Sequence, residues 1–142
     1  MEADFPASSK NTTGYMTGTV TINGAEQKFK SNYVYRDEQQ GTLRFFAHMS
    51  TTPEVEPRTV IAVQLKSKDA GSGEYKVGDQ QVVYFWCDPA GSDPGLNAQS
   101  GTLELIREDG PVPKISGTLK FEARNSTRMY QVNVSFELLG IS

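Results

Sequence analysis

The chain has one cysteine, one histidine and one tryptophan in 142 residues. A single cysteine, Cys87, excludes an internal disulfide, so stability rests on sheet pairing and packing alone. With His48 as its only imidazole, the chain cannot assemble the usual nitrogen–sulfur zinc site by itself. Nucleophilic catalysis would have one base to draw on, and no Gly-x-Ser-x-Gly, His-Glu-x-x-His or Walker phrase is present. No apolar run approaches the ~20 residues of a membrane-spanning helix. A net charge of -3 offers little steering toward phosphate backbones and argues against nucleic acid as the main partner. No extended window places apolar residues at i, i+3, i+4 and i+7, so no helix is required.

What the chain does have is alternation. From Ile115 to Arg124, Ile115, Gly117, Leu119, Phe121 and Ala123 point one way and Ser116, Thr118, Lys120, Glu122 and Arg124 the other. Period two over this length marks a strand with one buried and one wet face. Ser100 to Arg124 therefore predicts a hairpin, turning at Glu108-Asp109-Gly110-Pro111-Val112-Pro113. Similar runs occur at 15–22, 27–36, 42–50, 58–66, 74–77 and 128–138. Asn23-Gly24 is a strong hairpin turn because both residues tolerate positive φ. Val82-Val83-Tyr84-Phe85-Trp86-Cys87 is apolar on both sides, as expected of a strand covered front and back.

These patterns predict an all-β chain, an antiparallel β-sandwich or small barrel of about eight strands with short hairpin turns. A hydrophobic content of 37% suits a thin two-layer core or a small barrel. Residues 1–14 predict a flexible arm and residues 15–142 a single β-domain. As written, the N-terminus has neither the basic start nor the apolar stretch of a signal peptide. Two histories fit it: a cytoplasmic protein, or a removed leader replaced by an initiator Met. The Ser, Thr, Pro and Ala content up to Gly14, like the tether after a lipoprotein cleavage site, favours the second.

Gly-Thr-apolar-x-apolar begins at Gly18, Gly41, Gly101 and Gly117, with irregular spacing that excludes a solenoid array. Glycine there permits a bulge or close backbone approach. The order of phrases, "GTVTINGAEQKFK", "GSGEYKVG" and "SGTLELI…ISGTLKFEARN…VNVSFE", resembles small extracytoplasmic β-domains of bacterial lipoproteins, of the Bacteroidetes kind, over residues 15 to 138. The resemblance implies a β fold and a secreted, periplasmic or outer-membrane-tethered setting. It implies contact with a membrane only through a removed lipid anchor, and adds nothing about chemistry.

The residues offer few starting points for chemistry. Cys87 reads as a buried inert thiol and His48 as a sheet histidine. Glu104, Glu108, Asp109 and Glu122 are carboxylates of the type glycosidases pair, but on outward strand positions they read as solvated charges. In the loop from Asp88 to Asn97, Asp88 and Asp93 are the candidates for calcium, although turn chemistry explains its Asp-Pro and Pro-Gly steps. No cofactor is called for. Tyrosine and tryptophan, with flat apolar bodies and polar tips, suit sugar rings and protein hot spots. Tyr33 and Tyr35, beside Lys28, Lys30 and Arg36, are the pair singled out, with Trp86. The reading is a non-catalytic domain binding a protein or glycan. Two alternatives remain: a lipocalin-like carrier with an apolar ligand among Phe29, Tyr33, Phe45, Val82, Tyr84 and Trp86, or an inhibitor or immunity-type protein.

Overall fold

A computed structural model describes residues 11–49, 59–88 and 95–141. Within them the chain forms eleven strands and no α-helix. These are β1 (Thr13–Ile22), β2 (Ala25–Ser31), β3 (Tyr33–Asp37), β4 (Leu43–Met49), β5 (Thr59–Leu65), β6 (Gly73–Lys76), β7 (Val82–Asp88), β8 (Leu96–Asn97), β9 (Ser100–Glu108), β10 (Lys114–Arg124) and β11 (Met129–Leu139). One sheet runs β2-β1-β11-β10-β9-β6 and the other β3-β4-β5-β7-β8, every pair antiparallel. Neither sheet closes on itself. The molecule is a sandwich, and the barrel alternative is set aside.

The first strand begins earlier than alternation suggested, at Thr13, and Thr12 before it is buried. Its hydroxyl accepts a hydrogen bond from the Arg36 backbone N–H at 3.2 Å, tying the segment to β3. Residues 11–14 are therefore not part of an arm; residues 1–10 and the Thr51–Pro57 loop lie outside the described residues. The Asn23-Gly24 turn has both φ values positive, 49° and 85°, and joins β1 to β2 as its sequence demands. The 100–124 hairpin forms with Leu119 opposite Leu103 and Gly117 opposite Leu105. At Gly117 a Cβ would lie 1.8 Å from the Glu104 carbonyl oxygen. Here the recurring glycine lets two backbones approach.

The interior is built from the alternate residues read in sequence. Ile115, Leu119, Phe121 and Ala123 from β10 and Tyr130, Val132, Val134, Phe136 and Leu138 from β11 are all buried. All of them but Tyr130 join one core with Leu43, Phe45, Ala47, Ile61, Val63, Leu65, Phe85 and Cys87 of the other sheet. Phe45 packs on Phe136 at 4.9 Å between ring centroids, and Phe85 approaches Phe121 at 6.1 Å. Such contacts between tilted rings are favourable beyond the apolar area they bury.

Besides the bulge at Val83, where Leu65 pairs with Val82 and Gln64 with Tyr84, alternation fails between β2 and β3. Phe29 and Ser31 of β2 face inward, and continuing their phase would put Tyr33 and Tyr35 inside and Arg36 outside. Instead Val34 and Arg36 are buried, and Tyr33 and Tyr35 are half-buried on the outside. The cause is local. The chain leaves one sheet for the other at Asn32, and the Ser31 hydroxyl accepts the Tyr33 N–H at 3.0 Å while donating to the His48 carbonyl. That side-chain turn makes Asn32 a bend and restarts the alternation one residue out of phase.

Candidate binding face on the five-stranded sheet

The ladders of the five-stranded sheet arrange its outward side chains in three rows. Tyr35, Phe46, Ala62 and Trp86 lie side by side on β3, β4, β5 and β7. Asp37, Arg44, Gln64 and Tyr84 form the row on one flank, and Tyr33, His48, Val60 and Asp88 the row on the other. Ala62 leaves room between the larger rings beside it. Phe46, Val60, Ala62 and Trp86 form a second apolar cluster, separate from the interior, with Tyr35 and Tyr84 packed against it.

Geometry in this cluster is specific. Tyr35 stacks on Phe46 with centroids 4.8 Å apart and planes 24° from parallel. His48 meets the Phe46 ring edge-on at 5.8 Å, and the Arg44 guanidinium lies 5.6 Å from its centroid. After β7 the chain returns across the indole: a Cβ on Gly95 would sit 2.3 Å from Trp86 Cζ2. Glycine is what lets the backbone lie this close to the ring.

The polar row is held by a fork. Arg44 donates from Nη2 to Asp37 Oδ2 at 2.5 Å and from Nε to Oδ1 at 3.2 Å, with both side chains nearly buried. Such a two-pronged pair fixes orientation as well as charge. Asp37 Oδ1 also accepts the Gln39 N–H at 3.3 Å, and Gln64 donates to Thr42 Oγ1 at 2.8 Å. Burial pulls the Arg44 guanidinium down, but the Asp37 hydrogen bond and charge, with Tyr84 and Tyr35 behind them, hold it above its ordinary value. Burial pushes the Tyr84 phenol up, partly offset by the charge of Arg44 and a hydrogen bond from it. The row therefore sets a half-buried neutral phenol beside a nearly buried, neutralised ion pair.

Of the residues singled out in sequence, Tyr33, Tyr35 and Trp86 come together on this face. Trp86 is only 5% exposed and supports the tyrosines from beneath the surface. Lys28 and Lys30 do not join them, because they point outward from β2 on the opposite face of the sandwich. Arg36 stands inside, opposite Phe45. Phe46 and the Asp37–Arg44 pair were missed, and Tyr84 was read only as part of the wall of a carrier cavity. The signals for them were the Arg44, Phe46, His48 side of β4 and the two-sided apolar run of β7. That run is covered on both faces only in its second half, since Val83 is 49% exposed.

Other sequence candidates fall elsewhere. Glu104 and Glu122 stand on the outer face of the six-stranded sheet, Glu108 pairs with Lys114 at 3.4 Å, and Asp109 pairs with Arg107 at 2.9 Å. Asp88 ends β7 opposite Val60, and Asp93 lies outside the described residues. Among the described residues no three His, Cys, Asp or Glu side chains gather as a metal site would require. Cys87 is buried, and burial together with the Asp88 charge pushes its thiol well above the ordinary range. The six residues proposed to line a carrier cavity share no enclosure: Phe29 and Phe45 are interior, while Tyr33, Tyr84 and Trp86 lie on the outer side of the five-stranded sheet. Compared with protein-family models, with curated proteins and with solved structures, the chain matches none of them.

Proposed function

We propose that the protein is a non-catalytic, extracytoplasmic bacterial β-sandwich whose outer five-stranded face binds a protein or glycan partner. The observation that carries this reading is a pair of half-buried tyrosines, Tyr35 and Tyr84, packed on a buried Phe46–Trp86 floor, with Tyr33 half-buried on the same side of β3. Tyrosines fixed by packing lose little freedom on binding and offer both an apolar face and a hydroxyl. The adjoining Asp37–Arg44 fork adds orientation without net charge. The resemblance to lipoprotein β-domains supplies the setting.

The test is a pull-down and a glycan array with the native chain, repeated with Tyr33→Ala/Tyr35→Ala and with Tyr84→Ala. Circular dichroism and thermal melting verify that each variant folds. A partner or glycan retained by the native chain and lost at least about tenfold by the folded double variant supports the reading. Retention unchanged in both variants moves the interface off this face.

A further inference from the structure

Among the described residues, Arg36 is the only charged side chain with no exposure at all. Its Nε, Nη1 and Nη2 are buried and none makes a hydrogen bond. A guanidinium carries five donors and does not escape burial by releasing a proton. A lone charge in the interior is disfavoured unless an opposite charge meets it. Among the described residues no side chain supplies that opposite charge to the Arg36 nitrogens within hydrogen-bond distance.

The surroundings sharpen this. Arg107 also faces inward, from β9 opposite Ile115, so one arginine enters from each sheet. They share one end of the sandwich: the Gln39–Gly41 turn receives the Lys68 N–H at the Gly41 carbonyl, and Arg107 Nη1 donates to the Lys68 and Ala70 carbonyls. Burial, then the like charge of Arg107, disfavours the Arg36 cation, with Glu38 and Asp109 opposing from a distance. Neither acid is a hydrogen-bond partner of Arg36. Asp109 is engaged by Arg107 Nε at 2.9 Å. Two cations thus share one end of the sandwich, Arg107 held by Asp109 and the 68 and 70 carbonyls, while among the described residues no hydrogen-bond acceptor meets the buried Arg36.

We propose that this end of the sandwich, between Arg36 and Arg107, is a binding site for a small oxyanion. Two oxygens on one centre, as in a carboxylate, sulfate or phosphate, match the planar fork of Arg36. The ligand is either a free inorganic anion or a carboxylate at the end of a peptide chain; both present the same pair of oxygens. Because the three Arg36 nitrogens are enclosed, the bound form differs from the closed one by an opening here, at the Gln39–Gly41 turn or the 67–70 turn. The site is separate from the tyrosine face, since Arg36 and Tyr35 point to opposite sides of β3.

The experiment is thermal melting of the full chain at fixed ionic strength, with chloride replaced stepwise by sulfate, phosphate or acetate. Parallel titrations use a short peptide with a free or an amidated C-terminus. Native chain should show a saturable rise in Tm of roughly 5–10 °C at a hundredfold excess over the dissociation constant. Arg36→Met should keep only the linear, non-saturating salt effect. Arg36→Lys retains the charge without the fork, and its affinity should fall about tenfold. Response to inorganic anions identifies a free ligand; response to the free-carboxyl peptide alone identifies a chain terminus. Should Arg36→Met fail to fold, calorimetric titration of phosphate and of the peptide into native chain decides the matter. Saturable binding near one per chain, weakened in Arg107→Gln, upholds the site. Parallel melting curves for native and Arg36→Met, or no saturable binding of any probe, overturns it.

Discussion

Arg44 and Asp37 face each other directly across the β3–β4 ladder, and their side chains close a two-pronged ion pair on the outer face of the sheet. Arg44 at the same time lies near the Phe46 ring that supports Tyr35. The pair therefore links the polar row to the aromatic floor. Removing Asp37 leaves a nearly buried guanidinium without its main acceptor.

Asp37→Ala should accordingly cost about 3 kcal/mol, while Asp37→Ala/Arg44→Met should recover much of that loss, since an apolar pair replaces a charge that has lost its counter-ion. Urea denaturation of the two single variants and the double variant gives the coupling energy directly. Additive losses would show the fork to be unimportant.

Gly95 should resist substitution. Gly95→Ala places a methyl 2.3 Å from Trp86 Cζ2, and displacing the backbone or the indole should cost about 1–3 kcal/mol. Tryptophan fluorescence, which reports only on Trp86 in this chain, should shift to the red. Gly110→Ala is the control: nothing lies within 4 Å of its Cβ, and stability should change by under about 0.5 kcal/mol.

Stability should fall in alkali. The native Cys87 thiol is held neutral by burial and the Asp88 charge, whereas the unfolded thiol ionises near pH 8.5. Above that pH the unfolded chain binds fewer protons than the native one, so the unfolding free energy drops as pH rises. The contribution is intact below about pH 8.5 and lost at up to about 1.4 kcal/mol per unit above it. Denaturation of native chain and Cys87→Ala between pH 7.5 and 10 should show the steeper decline only in the native chain. Equal slopes would mean that the thiol ionises as readily folded as unfolded.

The β10 register predicts a sharp contrast between neighbours. Leu119→Ala and Phe121→Ala should each cost about 2–5 kcal/mol, because both side chains fill the interior. Lys120→Ala, on the exposed face between them, should cost under about 0.5 kcal/mol. Comparable losses at all three positions would undo the register.

Strands, turns and interior residues were legible wherever a run alternated cleanly between two turns. Ile115 to Arg124 and Tyr130 to Leu138 are the clear cases, since strand pleating assigns successive side chains to opposite faces without reference to anything distant. The two-sided apolar run at β7 likewise announced a covered strand, though only its second half is covered. Which face was inward at β3 was not legible. That depended on Ser31 bonding to Tyr33 and His48 as the chain changed sheets, a contact between residues 17 apart in sequence. The assembly of Tyr35, Phe46, Ala62 and Trp86 into one row depended on the register of four strands. Local sequence determined the period of each strand, because that is a property of the pleated backbone. Tertiary structure alone decided the partners, placed Arg36 inside and grouped the tyrosines outside, because pairing and sheet crossing are set by contacts between distant segments.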